Sequence, residues 1–194
     1  MKYYWLSFDE SVGHTVAYAP KGNTQPADLI SIIEDQGLKN LPFSFQLYSI
    51  GINAGGLQVG EISDKHLDSQ PNNLALPLMS QRLKDVIVSS LNGNEPIRWV
   101  SAKVLGKTAV FPYYVPLFTE KMDVLDDEKS IFVGPWRTLL KPYYKQSKID
   151  CYAFFNGDPN NWLLSRRLYV NESIKCKIQQ LNLSGVQLIE ARTT

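Results

Sequence analysis

The sequence predicts an α+β fold with a mixed, largely antiparallel sheet and a few packed helices. Two helix patterns begin at polar caps, Ser80 and Asn171, and each leads through a glycine to a strand-like apolar run. Around them lie short runs of aromatic and β-branched residues separated by turn signals. Because these runs do not alternate regularly with helices, the pattern favours α+β over a parallel α/β sheet.

The chain opens with a predicted strand. Residues 2–8 alternate around large aromatic side chains, which is typical of a strand that fixes a chain end. Pro26 then predicts the start of a helix that ends at Gly37. The apolar residues of that helix are Leu29, Ile30, Ile32 and Ile33.

A hairpin is predicted next. Residues 43–50 have the composition of a strand, residues 53–56 give a turn signal, and residues 57–59 supply a return arm. Residues 64–76 predict a polar connection.

The second half of the chain has stronger signals. Ser80 caps a predicted helix that ends at Asn92 and Gly93, and residues 97–105 follow as a strand. The apolar stripe of this helix is Leu83, Val86, Ile87 and Leu91. Further short strands are predicted within residues 109–115, 130–133 and 148–155.

The pattern of the first capped helix returns near the C-terminus. Asn171 caps a predicted helix with Ile174, Ile178 and Leu181 on one stripe, Gly185 follows it, and residues 186–189 close the chain as a strand. The two units align at an offset of 91 residues, which pairs Lys84 with Lys175. Duplication explains this no better than chance or the sequence pattern that capped helices have in common. One pair of units cannot form a solenoid.

Composition indicates one folded domain. With 194 residues, 44% of them hydrophobic, the chain can bury a core without disulfides. We predict a single domain over 1–194, with a division into subdomains 1–76 and 77–194 left open. The totals of 20 Lys and Arg against 19 Asp and Glu give no general attraction for nucleic acid or for an anionic membrane.

The sequence favours a cytoplasmic protein. Its N-terminus is too polar for a secretion signal, and no apolar run approaches the roughly 18 residues of a membrane helix. The two cysteines, Cys151 and Cys176, form no disulfide framework, and both are predicted to be buried small hydrophobes.

No catalytic or cofactor motif is present in the sequence. His14 and His66 lack metal-ligand spacing, and the glycine-rich residues 51–60 indicate a hairpin turn in preference to a phosphate loop. No cofactor is therefore expected. A site assembled in space from His66 or Cys151 with carboxylates stays open, and it would make the protein a small hydrolase or transferase.

Two charged segments stand out. Asp123, Asp126, Asp127 and Glu128 form the densest acidic group, which predicts a solvated turn before the strand at Ser130. Residues 136–148 hold four basic side chains and no acid, interleaved with aromatics. Because Arg, Trp and Tyr dominate the centres of protein interfaces, this segment is a candidate partner surface.

The candidate contact residues come from this segment and from the turn at 156–162. They are Trp136, Arg137, Lys141, Tyr143, Tyr144 and Trp162. An ordinary loop with Leu139 and Leu140 in the core is an equally good interpretation. RNA binding by stacking on Tyr143 and Tyr144 is a weaker alternative because the overall charge is neutral.

Four stretches resemble a known family. Residues 76–86 (LPLMSQRLKDV), 123–130 and 168–175 (LYVNESIK), together with the ending 181–188 (LNLSGVQL), resemble the eleventh-numbered immunity protein family of bacterial polymorphic toxin systems. The resemblance covers about residues 60–190.

The resemblance implies an α+β protein that binds and neutralises a cognate protein toxin encoded nearby. It implies no cofactor, and the family's acidic position falls at Asp123 or Asp126. An inhibitor of this kind needs a stable scaffold and a complementary surface, with no chemistry of its own. The alternatives are the small enzyme described above and a regulatory nucleic-acid-binding module.

Overall fold

The fold is described from a computed structural model. It covers residues 1–9, 15–22, 29, 33, 37–53, 56–120, 122–135, 137–155 and 168–194.

Short strands dominate the described part of the chain, with two α-helices between them. The strands are β1 (Tyr3–Phe8), β2 (Thr15–Tyr18), β3 (Asn40–Asn53), β4 (Gly56–Ile62), β5 (Ser69–Gln70), β6 (Leu78–Ser80), β7 (Ile97–Leu105), β8 (Val110–Phe118), β9 (Ile131–Val133), β10 (Thr138–Lys141), β11 (Ala153–Phe155), β12 (Leu168–Asn171) and β13 (Val186–Glu190). The helices are α1 (Gln81–Val88) and α2 (Glu172–Gln180), and a 3-10 turn spans Gln146–Lys148.

The strands form three sheets. The largest has the order β2-β3-β7-β8-β6-β5, with β4 paired to the end of β3. A four-stranded sheet has the order β11-β12-β1-β13, and β9 and β10 make a separate hairpin. Among the described strands, each pair is antiparallel except β3 with β7, which agrees with the predicted mixed, largely antiparallel α+β fold.

Three apolar clusters hold these sheets together. The first packs strands of the large sheet around Phe45, Leu78 and Tyr113. The second lies between the two sheets and contains both helices. The third packs Tyr3, Tyr144 and Phe154 against the four-stranded sheet. Each buried aromatic or aliphatic side chain of these clusters stabilises the fold by about 1.5–3 kcal/mol relative to an exposed one.

The two helices begin where the sequence predicts. The Ser80 hydroxyl accepts a hydrogen bond from the Leu83 amide at 3.2 Å, and the Asn171 side chain accepts one from the Ile174 amide at 3.0 Å. Both predicted caps are therefore confirmed. Helix α1 is shorter than predicted, because it ends at the cap residue Ser89. The next residue, Ser90, donates a hydrogen bond from its hydroxyl to the Val86 carbonyl at 2.7 Å.

Several predicted strands are confirmed. Strand β1, the β3–β4 hairpin, β7 and β13 lie where the sequence places them, although β3 extends beyond 43–50 in both directions. The helix predicted from Pro26 falls almost entirely outside the described residues. Of that stretch, Leu29 and Ile33 are described as helical and buried, and Gly37, the predicted end, is described in a turn with φ +59°.

The prediction that residues 64–76 are a polar connection is confirmed for most of the stretch, which lies outside regular strands and helices, but it misses strand β5 and the burial of several side chains. Leu67, Asp68 and Gln70 are buried, and the stretch contributes strand β5. Polarity is a poor sign of solvent exposure here because the polar groups are satisfied internally. Gln70, for example, accepts from the Leu67 amide at 3.1 Å and donates to the Thr15 carbonyl at 3.0 Å.

Candidate partner-binding surface

The β9–β10 hairpin carries most of the predicted contact segment. Phe132 lies opposite Leu139, and both side chains pack against the third cluster. The other face of the hairpin is exposed to solvent and is largely apolar, apart from Thr138 opposite Val133 and Lys141 opposite Ile131. It presents Ile131, Val133 and Leu140, which are 45%, 44% and 60% exposed.

Arg137 lies in the turn of this hairpin in an unusual backbone conformation. Its φ is +47°, in the left-handed region that costs a side-chain-bearing residue about 1–2 kcal/mol. The guanidinium stacks over the Phe132 ring at 4.5 Å and lies 3.8 Å from an Asp127 carboxylate oxygen. Strained residues of this kind cluster at functional sites, and Arg137 is held with two-thirds of its side chain exposed.

The other predicted contact residues divide into several groups. Lys141 is half-buried at the end of β10, and Tyr143 is half-buried with its ring 5.7 Å from the Arg192 guanidinium. Trp136 and Trp162 lie outside the described residues. Leu140 is exposed on the outer face and Leu139 is buried, so the ordinary-loop interpretation holds for only one of the two leucines.

Tyr144 is a core residue, which corrects its prediction as a contact. Its side chain is fully buried, with its ring in edge contact with Phe154 and Tyr169 at 5.1 and 4.8 Å. The residue also bridges Leu125 and Thr193 through its backbone. A ring in this position cannot touch a partner unless the third cluster opens. Aromatic residues serve interfaces and cores equally well, so the sequence could not separate the two roles.

The acidic and basic segments lie side by side. The Asp126 amide donates to the Tyr143 carbonyl at 2.8 Å, and the Lys145 amide donates to the Val124 carbonyl at 2.9 Å. Lys148 is paired with Asp123, as Arg137 is with Asp127. The positive charge seen in residues 136–148 is therefore largely balanced by its neighbour, which weakens the case for RNA binding.

Asp126 is a structural residue, so the acidic cluster is only in part the predicted solvated turn. Its carboxylate is buried and accepts from the Thr194 hydroxyl at 2.9 Å and from the amides of Glu128 and Lys129 at 3.2 and 3.3 Å. Burial raises the pKa of Asp126, but these hydrogen bonds and Lys145 outweigh it, so the net pKa lies below its usual value. Asp123, in contrast, is exposed at the surface.

A second candidate is a cavity of about 260 Å³ beside the start of α1, lined by His66, Asp68, Ser80, Arg82, Tyr113 and Ser184 among others. Asp68 is its centre. One carboxylate oxygen accepts from the Ser80 hydroxyl at 2.7 Å. The other accepts from the Ser184 amide at 2.9 Å and lies 3.4 Å from the Arg82 guanidinium. Beyond the polar residues of 64–76, the sequence holds no signal for this network.

The groups around this cavity are arranged for structure more than for nucleophilic catalysis. The Ser80 hydroxyl donates to Asp68 and accepts from the Leu83 amide, so it is committed as a helix cap. The His66 ring is stacked on Phe111 with centroids 4.1 Å apart. Nucleophile, base and orienting carboxylate would have to form a chain of hydrogen bonds, and Asp68 instead joins the serine directly.

The cysteines differ from each other. Cys151 is buried as predicted, and burial is the main cause that raises the pKa of its thiol to about 12. Cys176 is exposed on α2, which corrects its prediction as a buried residue. Its position falls outside the Ile174 and Ile178 stripe that faces the second cluster.

The described residues hold neither a metal-ligand cluster nor a membrane-spanning helix. Nowhere in the described ranges do three His, Cys, Asp or Glu side chains come together as metal ligands would. Over the same ranges, no helix combines the length and apolar character that crossing a membrane requires.

Comparison with known proteins found no family model that matches the chain and no similar curated protein.

Proposed function

We propose that this protein is an inhibitor that neutralises a cognate protein toxin by binding it through the outer face of the β9–β10 hairpin. The observation that carries the proposal is the exposed apolar set of Ile131, Val133 and Leu140 on a small sheet whose other face packs on the third cluster. Apolar side chains gathered on one rigid face mark interaction sites more often than single exposed ones do.

The hairpin also indicates the chemistry of the partner. Lys141, at the end of β10, lies opposite Ile131 beside this apolar set, and the exposed Arg137 lies at the turn, held against Phe132 and Asp127. A complementary toxin surface would therefore be an apolar groove with carboxylates at its rim, and a short hairpin would fill such a groove at the centre of an interface. The resemblance of residues 76–86 and 168–175 to immunity proteins supports a toxin as that partner.

The rival functions receive less support from the geometry. The cavity around Asp68 brings His66 and a carboxylate to one place, as an enzyme would require, but its serine and its carboxylate are bonded to each other. The balanced charge of the two adjacent segments argues against a nucleic-acid surface, because such binding depends on unpaired cations.

The test is co-purification with the product of the adjacent gene, together with protection of cells that express that product. Val133→Asp places a charge at the centre of the proposed surface without changing the buried face of the hairpin. We expect it to weaken binding by at least about tenfold, the scale of an interface hot spot, and to abolish protection.

Val110→Asp is the matched control. Val110 is 59% exposed at the start of β8, in a different sheet, so the same substitution there should leave binding unchanged. Equal loss in both variants, or no loss in either, would refute the hairpin as the surface. A neighbouring product that neither binds the protein nor harms unprotected cells would refute the function itself.

A further inference from the structure

The two larger sheets contain the same arrangement of four strands and one helix. In one, β5, β6, β8 and β7 lie side by side with α1 joining β6 to β7. In the other, β11, β12, β1 and β13 lie side by side with α2 joining β12 to β13. We infer that the chain is a tandem duplication whose two copies have exchanged their first strands.

The register around each helix start is the same in both copies. The cap residue Ser80 lies opposite Tyr113 on the central strand, and the cap residue Asn171 lies opposite Tyr3. The cap amides bond to equivalent positions as well. The Ser80 amide donates to the Asp68 carbonyl at 2.8 Å, and the Asn171 amide donates to the Tyr152 carbonyl at 2.9 Å.

The two central tyrosines make the same buried hydrogen bond. The Tyr113 hydroxyl donates to the carbonyl of Leu67, the residue just before Asp68. The Tyr3 hydroxyl donates to the carbonyl of Cys151, the residue just before Tyr152. A chance likeness between two sheets would not be expected to reproduce both the donor and the position of its acceptor.

A contact between a lysine and an aromatic ring is repeated too. Lys84 lies over the ring of Tyr114 at 3.8 Å, and Lys175 lies over the ring of Tyr4 at 3.9 Å. Each lysine is four residues beyond its cap, and each tyrosine directly follows the hydrogen-bonded tyrosine of the central strand, Tyr113 or Tyr3. The offset of 91 residues between the two helices is thus accompanied by matched tertiary contacts, which shared helix grammar alone does not produce.

The likeness continues beyond these four strands. In the first copy, Phe45 pairs in parallel with Val104 beyond the middle of β7. In the second copy, Tyr144 pairs in parallel with Thr193 just beyond β13. Both aromatic side chains are fully buried, Phe45 in the first cluster and Tyr144 in the third, so the two outer clusters are equivalent.

The order of elements along the chain shows the exchange. The first copy runs from β1 to β7 and the second from β8 to β13. Yet β1 lies between β12 and β13, while β8 lies between β6 and β7. Each copy therefore supplies the central strand of the other, and the two helices meet in the shared second cluster.

The duplicated strands and helices form the scaffold, and the hairpin proposed to bind a partner lies outside them. The exposed face of β9–β10 belongs to none of the matched strands. Its location on an added hairpin is consistent with a scaffold that is kept while its attachments change.

Circular permutation tests the inference on the full chain. Gln146 hydrogen-bonds to the Met1 carbonyl at 3.0 Å and to the Thr194 carbonyl at 3.2 Å, so the two chain ends are close enough to join with a short glycine linker. New ends between Asp9 and Glu10 would place β1 directly after β13, as β8 follows β7. New ends between Lys107 and Thr108 would instead break the chain between β7 and β8. These two strands would then be paired without a direct chain connection, as β13 and β1 are in the natural chain.

If the copies are equivalent, each copy should fold whether its last strand is joined directly to the following central strand or is separated from it. Both permutants should then fold, with thermal midpoints within about 5 °C of the natural chain. A native fold in one permutant and an unfolded chain in the other would overturn the equivalence.

A second measurement holds even if a linker disturbs folding. A protease site inserted between Lys107 and Thr108 allows the folded chain to be cut between the copies. The fragments should stay together in gel filtration and separate only in denaturant, since each holds a central strand of the other's sheet. Release of two separately folded fragments in native buffer would refute the exchange.

Discussion

The hydroxyl groups of Tyr3 and Tyr113 donate to main-chain carbonyls in the same position of two different sheets. The distances are 3.0 Å from Tyr3 to the Cys151 carbonyl and 2.5 Å from Tyr113 to the Leu67 carbonyl. Burial is the first cause that raises the pKa of both phenols above the usual value. These bonds tie the central strand of each sheet to the segment that precedes its outermost strand.

Tyr3→Phe and Tyr113→Phe should therefore have similar effects. Each leaves a buried carbonyl without its donor, and we expect each to lower the free energy of unfolding by about 1–3 kcal/mol. Urea denaturation followed by circular dichroism measures this. Tyr48→Phe is the control, because Tyr48 in β3 is only partly buried. A clear loss in one variant and none in the other would argue against equivalent roles.

Local signals are enough to predict the helices but not their surroundings. The caps at Ser80 and Asn171 can be found because their partners are three residues away. The position of β1 between β12 and β13 depends on pairings such as Tyr3 with Asn171, which no local pattern encodes. Likewise the offset of 91 residues suggests two units, but the exchange of their strands is a property of tertiary pairing alone.

The candidate surface is predictable in part. The basic and aromatic character of residues 136–148 points to the hairpin that carries the candidate surface. However, the sequence cannot show that Tyr144 is buried or that Asp127 pairs with Arg137. The apolar face itself has a signal that the sequence analysis missed, since Ile131 and Val133 flank Phe132 at strand spacing before a Gly-Pro turn.

Arg137 offers a test that separates stability from binding. Arg137→Gly relieves the left-handed backbone conformation but loses the stacking on Phe132, and the two effects nearly cancel. We expect stability to change by less than about 1 kcal/mol. Arg137→Ala loses the same stacking without relief and should be about 1 kcal/mol less stable than the glycine variant.

The two Arg137 variants should differ in stability but not in affinity for the partner. Both Arg137 variants lack the exposed guanidinium at the hairpin turn, next to the proposed surface, so both should bind the proposed toxin more weakly to a similar degree. Calorimetric titration against the purified partner would measure this. Unchanged affinity in both variants would remove Arg137 from the proposed surface.

The two cysteines should differ in reactivity. Cys176 is exposed on α2, whereas Cys151 is buried with its pKa raised to about 12. Because the thiolate is the reactive form, a disulfide reagent at about pH 8 should modify one thiol in the folded protein and two after unfolding. Cys176→Ser should show no fast reaction. A fast reaction in that variant would mean that the third cluster opens readily.

Alkaline conditions should destabilise the protein through the same cluster. Burial raises the pKa of Tyr3 from 10.0 to about 12 and that of the Cys151 thiol from 9.0 to about 12. Both groups lose protons more readily in the unfolded chain, so their contribution is complete below about pH 9 and declines as the pH rises towards 12. Thermal midpoints from about pH 8 to 12 measure the decline, and Cys151→Ala should reduce it. An identical pH profile in that variant would exclude the Cys151 thiol as a cause of the alkaline loss of stability.

Asp68 should be the polar residue on which the junction of the two copies most depends. Its carboxylate holds the Ser80 cap of α1 and the Ser184 amide beyond α2. Asp68→Asn keeps the size but removes the negative charge and leaves one acceptor oxygen, so the side chain can no longer accept from both Ser80 and Ser184, and the ion pair with Arg82 is lost. We expect a loss of at least about 2 kcal/mol in the free energy of unfolding.

Gly185, next to Ser184, is closely packed at the same junction. Its φ is +72°, and a side chain there would meet the Ser69 carbonyl oxygen, so this position favours glycine. Asp127→Asn is the control, since it removes an exposed carboxylate whose contact with Arg137 should contribute less than about 1 kcal/mol. Proteolysis of the loop after α2 should be faster in Asp68→Asn alone. Equal stability of the two variants would show that the Asp68 network does not hold the copies together.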